Sequence, residues 1–137
     1  MNGKRVLIAD DEIHIVHVVT IKLRNNGYEV ITAENGAEAY DLACTTRPDV
    51  IITDYQMPIM TGIDLVEKLR SNEQTKGIPV VMLTARSYAV SSEQQKQLGI
   101  HNCLSKPFSP RELLGNVEDA LFHTGFASQS AASPFDH

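Results

Sequence analysis

Short, continuous apolar runs alternate with longer amphipathic stretches along this chain, and that alternation constrains its fold most. Residues 6–9, 50–52 and 80–83 are runs of this kind, as expected of strands buried on both faces of a parallel sheet. Residues 28–32 form a shorter strand candidate, and residues 103–104 are placed mainly by their position in the series. The chain therefore predicts five strands in a sheet that is covered on both sides.

The stretches that follow these runs have the features of helices. We predict helices over residues 12–26, 35–46, a segment around 63–69, about 88–98, and a segment that starts at residue 110. The last has the clearest start, because Ser109 is a suitable N-cap, Pro110 occupies the first helical position and Glu112 follows three residues after the cap. Five strand-helix units predict an α/β fold with right-handed crossovers.

The fourth predicted helix differs from the others in composition. It is rich in Gln and poor in large apolar residues, so it offers little surface for burial against a sheet. We expect it to be loosely packed.

The chain has 137 residues, enough for one domain with its own hydrophobic core. We place that domain at residues 1–122, because residues 123–137 turn to small and polar types. This last segment is predicted to be a flexible tail or the start of a linker.

Composition excludes several classes of protein. A net charge of −5 and the absence of Lys or Arg runs argue against direct binding to nucleic acid. The apolar runs are too short to cross a bilayer, and the two cysteines match no zinc spacing and form no disulfide scaffold. We therefore expect a cytoplasmic protein that binds neither membranes nor nucleic acid.

Polar residues follow four of the apolar runs. Asp10 and Asp11 follow the first, Asp54 follows the third, Thr84 ends the fourth and Lys106 follows the fifth. Because all strand C-termini of a parallel sheet lie at one edge, and ligands bind there, these side chains should share a site. The predicted site combines three carboxylates, one hydroxyl and one ammonium group.

This combination of groups suits phosphate chemistry. Clustered carboxylates repel one another, and a hard cation such as Mg²⁺ with oxygen ligands relieves that repulsion. A Lys ammonium and a Thr hydroxyl are suited to hold phosphoryl oxygens. One carboxylate is then free to act as a nucleophile and form an acyl phosphate. Asp54 is the candidate, because its strand is central and Asp10 and Asp11 are better placed as metal ligands.

The chain resembles the receiver domains of two-component response regulators, specifically single-domain receivers of the chemotaxis type. The resemblance covers residues 4–122 and rests on four motifs in a fixed order: Val-Leu-Ile-Ala-Asp-Asp-Glu at 6–12, Asp-Tyr-Gln-Met-Pro-Ile-Met-Thr-Gly at 54–62, Met-Leu-Thr-Ala at 82–85 and Lys-Pro-Phe at 106–108. It implies a five-stranded doubly wound, flavodoxin-like sheet of order 2-1-3-4-5 and a cis Lys106-Pro107 peptide bond.

The resemblance also implies roles for the residues of the site. Asp54 would be the phosphoacceptor, with Thr84 and Lys106 binding the phosphoryl group. Asp10, Asp11, Asp54 and the main-chain carbonyl of Gln56 would hold Mg²⁺ (or Mn²⁺). A sensor histidine kinase or phosphotransfer protein would supply the phosphoryl group. A downstream protein would bind the fourth helix, fifth strand and fifth helix. Such a domain is not an enzyme in the ordinary sense, since it assists its own phosphorylation and dephosphorylation.

One departure from the family pattern affects signalling rather than chemistry. Cys103 stands three residues before Lys106, where the family usually has Tyr or Phe, so the usual coupling of phosphate to the output surface is open. Arg86, two residues past Thr84, is either a residue that tunes the phosphoryl lifetime or a simple surface charge.

Two other functions compete with the phosphorylation switch. The first is a pseudo-receiver, an interaction module that acts without phosphorylation. The second is a phosphatase of the haloacid-dehalogenase type, which also uses an Asp nucleophile but needs a second Asp where this chain has Gln56.

Overall fold

A computed structural model describes residues 3–85 and 90–130, with side chains described as far as residue 122. Its strands are β1 (Arg5–Ala9), β2 (Glu29–Ala33), β3 (Val50–Asp54), β4 (Val80–Thr84) and β5 (Ile100–Ser105). Its helices are α1 (Ile13–Asn25), α2 (Gly36–Thr46), α3 (Gly62–Arg70), α4 (Ser92–Leu98) and α5 (Pro110–Ser130). No helix in the described part of the chain has the length and apolar character needed to cross a membrane.

The strands form one parallel sheet of order β2-β1-β3-β4-β5, which confirms the predicted fold class. Successive residues of each strand face opposite sides of the sheet. Leu7, Ile51 and Met82 pack with α2 and α3 on one side. Val6 and Ile52 pack with α1 and α5 on the other. The apolar runs are continuous because both sides of the sheet are covered by helices.

Register places the predicted site residues at one edge. Ala9 is level with Thr53, Asp54 with Leu83, and Thr84 with Ser105. Backbone hydrogen bonds extend the sheet just past the strand ends, because the Lys106 amide donates to the Thr84 carbonyl at 2.8 Å. The Lys106-Pro107 peptide bond is cis, as the resemblance implied.

Several element boundaries differ from the predictions. Helix α1 begins at Ile13 rather than residue 12, with Glu12 as an extended N-cap residue. Helix α4 begins at Ser92, and the predicted start near residue 88 lies outside the described residues. Strand β5 is longer than predicted, because the polar residues His101 and Asn102 interrupt its apolar pattern, and its pairing with β4 shifts register between Val80 and Val81.

The fourth and fifth helices show the remaining differences. No residue of α4 is buried, as its composition predicted. Helix α5 continues through Ser130, so the first eight residues of the predicted tail are helical. The boundary between the domain at 1–122 and the segment at 123–137 remains a prediction.

The loop between β3 and α3 is folded tightly behind Asp54. The Met60 amide donates to the Pro58 carbonyl at 2.7 Å across Ile59, whose φ of 72° is unfavourable for a β-branched residue. Gly62 lies against the backbone of β3, because a Cβ there would be 2.3 Å from the Asp54 carbonyl oxygen. The glycine permits the close return of the chain that fixes the end of β3.

Gly62→Ala should therefore destabilise the domain by about 2 kcal/mol, because the added methyl group forces backbone atoms apart. Gly115→Ala is the control, since a Cβ in that helical position meets nothing within 4 Å and should stabilise the domain by up to about 1 kcal/mol. Urea unfolding measures both changes. Equal stability of Gly62→Ala and the wild type would contradict the close approach described here.

Candidate functional site

All of the predicted site residues except the buried Asp10 line one pocket at the C-terminal edge of the sheet. The pocket has a volume of about 1230 Å³, and Asp11, Asp54, Gln56, Thr84 and Lys106 are among its lining residues. Asp54 is the last residue of the central strand β3, and Thr84 is the last residue of β4. The structure thus brings together the residues that the strand ends were predicted to supply.

Asp10 and Asp54 are buried side by side, with 2% and 7% of their surfaces exposed. One oxygen of Asp10 accepts a hydrogen bond from the Glu12 amide at 2.9 Å. Its other oxygen, Oδ2, has no partner with hydrogen-bond geometry, although it lies 3.2 Å from Lys106 Nζ. Burial of two carboxylates with an incompletely satisfied oxygen is unfavourable without a positive charge nearby.

Lys106 supplies part of that positive charge. Its Nζ atom lies 3.3 Å from Asp54 Oδ1 and 2.5 Å from Glu12 Oε1, and the side chain is 14% exposed. Burial disfavours the charged ammonium group, but the hydrogen bond to Glu12 and the charges of Asp10 and Asp54 outweigh burial and raise the pKa of Lys106. Lys106 is therefore a permanent cation at neutral pH.

The surroundings of Asp54 and Asp10 destabilise the ionised form of both carboxylates, despite the positive charge of Lys106. Burial, followed by the charge of Asp10, raises the pKa of Asp54 to about 6, and Lys106 opposes this shift. Burial also raises the pKa of Asp10, against the Glu12 amide hydrogen bond and Lys106. Asp54 is mostly ionised at pH 7, yet its charged form is less stable than that of an exposed aspartate.

Asp10, Glu12 and Asp54 form a cluster in which one carboxylate oxygen of each residue lies within 4.8 Å of the other two. When all three are ionised beside one Lys, the excess is two negative charges. This excess, together with the poorly satisfied Asp10 oxygen, fits a divalent cation with oxygen ligands. The acidic pocket is thus suited to a divalent metal ion.

Glu12 is the site residue that sequence reasoning missed. It was assigned to the first helix, but the helix begins one residue later, and Glu12 has an extended backbone. From that position its carboxylate accepts a hydrogen bond from Lys106, the residue directly after β5. Its place directly after two aspartates was the available signal. Asp11 is exposed and lies outside the tightest cluster, so its role as a metal ligand remains a prediction.

Two other predicted contributors have limited structural definition. Gln56 lines the pocket with an exposed side chain, and the role of its main-chain carbonyl remains a prediction. Arg86 lies outside the described residues, so neither reading of it is tested. Thr84 is 2% exposed and faces the same pocket as Asp54 and Lys106.

Comparison with known proteins agrees with this geometry. Residues 6–118 match the response regulator receiver domain family. The phosphate regulon transcriptional regulatory protein PhoB of Pseudomonas aeruginosa is 38% identical over 125 residues, which cover 91% of this chain and 55% of PhoB. The alkaline phosphatase synthesis transcriptional regulatory protein PhoP of Bacillus subtilis is 37% identical over 94% of this chain and 53% of PhoP. The chain spans about half the length of these curated relatives.

A solved receiver structure is similar to this chain over its full length. The chemotaxis response regulator CheY4 of Vibrio cholerae superposes with a TM-score of 0.81 at 39% identity, covering 88% of this chain and 100% of CheY4. The family match, the sheet order and the acidic pocket lead to one conclusion: this chain belongs to the receiver domains of two-component response regulators.

Proposed function

We propose that Asp54 accepts a phosphoryl group from a sensor histidine kinase or phosphotransfer protein, and that the aspartyl phosphate changes which partners the domain binds. The observation that carries this proposal is the position of Asp54. It ends the central strand at an open pocket, 3.3 Å from Lys106 Nζ and clustered with two further carboxylates.

The proposed reaction is a direct phosphoryl transfer. An ionised oxygen of Asp54 forms a bond to phosphorus while the bond from phosphorus to the donor nitrogen breaks, and the departing histidine takes up a proton. The Lys106 ammonium pairs with the phosphoryl oxygens, and the Thr84 hydroxyl donates to one of them. The domain in this way assists its own phosphorylation. It also assists its own dephosphorylation, in which a water oxygen bonds to phosphorus, the bond from phosphorus to the Asp54 oxygen breaks, and inorganic phosphate leaves the regenerated carboxylate. Neither step turns over a separate substrate.

The metal ion in this proposal is Mg²⁺, with Mn²⁺ as a substitute of similar coordination. Asp10, Asp11 and Asp54, with the Gln56 carbonyl, would hold it, and Glu12 adds a further carboxylate. When bound, the ion neutralises charge on the carboxylates and on the transferring phosphoryl group. Lys106 alone supplies one positive charge, which is too little for the three clustered carboxylates and an incoming phosphoryl group.

The phosphodonor would approach along the N-terminal half of α1. His14, Ile15 and Val18 of that helix line the same pocket as Asp54, together with Pro107 and Phe108. These mainly apolar side chains form a rim beside the polar groups of Asp54 and Lys106. Apolar surface next to polar groups is typical of protein interfaces. A protein donor, rather than a small metabolite, best explains an apolar rim at this pocket.

The proposed output surface consists of α4, β5 and α5, where a downstream protein would bind. The curated relatives are named as transcriptional regulators, but this chain matches about half of their length. Its net charge of −5 gives no support to direct nucleic-acid binding by the receiver itself. We place the action of the domain in the cytoplasm, where its kinase partners present their phosphohistidine.

Incubation with acetyl phosphate should add one phosphoryl group to the wild-type protein in the presence of Mg²⁺. Asp54→Asn should gain none, because its amide is not a nucleophile. Intact-protein mass spectrometry measures both, and Asp41→Asn, on an exposed position of α2, is the matched control. An equal adduct on Asp54→Asn would exclude Asp54 as the acceptor. Absence of an adduct on all variants, with metal binding retained and a histidine kinase also tested, would favour the pseudo-receiver alternative.

Asp11→Ala should weaken Mg²⁺ binding at least about tenfold, as expected when a carboxylate ligand is lost. Glu12→Gln should weaken it less, because the Glu12 carboxylate is already paired with Lys106 at 2.5 Å. Calorimetric titration with MgCl₂ compares these variants with Asp41→Asn. An unchanged titration for Asp11→Ala would overturn its assignment as a ligand.

Asp54 should make the metal-free domain less stable as pH rises. Because its pKa is raised from 3.8 to about 6, the folded state holds its proton more tightly, and this contribution is lost between about pH 4 and pH 7. Asp54→Asn should remove the loss, so that at pH 7 the variant exceeds the wild type by up to about 3 kcal/mol. Urea unfolding at both pH values measures the difference. Mg²⁺ at roughly 10 mM should reduce this difference, because a cation that binds the folded wild type stabilises it. A constant difference between pH 4 and pH 7 would contradict the raised pKa.

A further inference from the structure

The fourth helix is attached to the domain differently at its two ends. Before the helix, Val90 is buried in the core cluster on the α3 side. Within the helix, Leu98 at the C-terminal end is partly buried against the same cluster, and no residue is fully buried. The side-chain hydrogen bonds described for the N-terminal half are local, because the Ser91 hydroxyl accepts from the Gln94 amide and the Gln95 side chain donates to the Val90 carbonyl.

Arg70 makes the polar attachment at the C-terminal end. It is the last residue of α3, and its Nε donates to the Leu98 carbonyl at 2.7 Å. Its Nη2 donates to the Gly99 carbonyl at 3.1 Å, and its Nη1 donates to the Lys76 carbonyl at 3.0 Å. One planar guanidinium group therefore joins the end of α3, the loop before β4 and the end of α4.

These carbonyls need a donor at this place in the fold. The last carbonyls of a helix lack partners within the helix and carry its partial negative charge. Gly99 ends α4 in a left-handed conformation, with φ of 67°, and a Cβ there would lie 3.2 Å from Arg70 Nε. Burial lowers the pKa of Arg70, and within the described residues no carboxylate lies within 4 Å of its guanidinium group. Its donors are committed to backbone carbonyls.

We propose that Arg70 fixes the C-terminal end of α4, so that phosphorylation of Asp54 moves the N-terminal half of the helix about that fixed end. Two directional hydrogen bonds resist displacement of Leu98 and Gly99, and the third joins the same guanidinium group to the Lys76 carbonyl. The contact of Val90 is a nondirectional apolar one, which allows sliding. The N-terminal half is also the end that follows Thr84 along the chain.

This inference rests on the proposed function and specifies its regulation. Cys103 occupies the position of the family's aromatic residue and is partly buried against the core cluster, but it is too small to push α4 as a wedge. Rotation about a clamped end transmits motion from Thr84 without such a wedge. The part of the output surface that changes on phosphorylation is then residues 90–95, while residues 96–99 and the start of β5 stay in place.

Amide hydrogen exchange resolved by NMR tests the clamp and the pivot separately. In the unphosphorylated domain, Arg70→Ala should speed exchange of the amides at 97–99 about tenfold or more, as expected when charge-assisted hydrogen bonds are lost. Arg70→Lys should not restore protection, because its donors sit on one nitrogen and cannot reproduce the three separate nitrogens that donate to the Leu98, Gly99 and Lys76 carbonyls. Lys68→Ala is the control on the same helix. Lys68 Nζ lies 4.7 Å from the centroid of the Tyr40 ring, and Lys68 has no hydrogen bond to α4 among the described contacts.

The pivot is tested on the wild type with Mg²⁺ and acetyl phosphate in excess. Exchange rates should change at residues 92–95 at least about threefold more than at 97–99, a difference that local opening free energies allow, and Arg70→Lys should abolish that asymmetry. Equal changes at both ends of the wild-type helix would overturn the pivot, and wild-type protection at 97–99 in both Arg70 variants would overturn the clamp. A missing phosphoryl adduct in the same sample by mass spectrometry would instead refute the proposed function, because the clamp is measured without phosphate.

Discussion

The burial of Asp10 beside Asp54 is the interaction on which the rest of the site depends. Two carboxylates in a low-dielectric environment repel each other and lose hydration. Lys106 offsets part of this cost from the opposite side of the pocket, at 3.2 Å and 3.3 Å from the two groups. The remaining excess of negative charge makes a divalent cation favourable, and a cation with Lys106 in turn makes an incoming phosphoryl group favourable. The proposed metal binding and phosphorylation thus have one common cause, the excess of negative charge in the pocket.

The sheet is what makes that imbalance possible. Parallel strands end at a common edge, so residues 10, 54, 84 and 106 meet there although they are far apart along the chain. Core packing on both faces leaves β3 and β4 fully buried, and Gly62 lets the following loop return against β3. The rigid strands prevent the carboxylates from moving apart to relieve their repulsion.

Much of this arrangement was predictable from local sequence patterns, and the exceptions have physical reasons. Asp54 could be located because it follows an apolar run whose strand character is clear, whereas Lys106 was located by the position of its run in the series and by the Lys-Pro-Phe motif. Glu12 could not be located in this way, because its place in the site depends on where α1 begins. The helix begins at Ile13, one residue later than the sequence of α1 suggests. Strand β5 was predicted too short because the polar residues His101 and Asn102 interrupt its apolar run. The role of Arg70 could not be predicted, because its partners are backbone carbonyls, two of them 28 and 29 residues away, and every residue type has a backbone carbonyl.

The coupling between the pocket and α4 follows from the same division between rigid and weakly held parts. Thr84 belongs to a fully buried strand, whereas α4 contributes no buried residue. Regions with few buried apolar contacts have the lowest cost of local rearrangement. A change in charge at Asp54 is therefore accommodated most easily by α4, which follows Thr84 along the chain. Arg70 determines which end of α4 responds.

The most direct test of this account is the titration of the Asp54 carboxyl group by ¹³C NMR, with Asp54→Asn to assign its signal. The account predicts a pKa of about 6 in the metal-free domain and a lower pKa when Mg²⁺ is added, because the cation stabilises the ionised form. A metal-free pKa near the ordinary 3.8 that does not respond to Mg²⁺ would contradict the claim that buried, unbalanced charge creates the site.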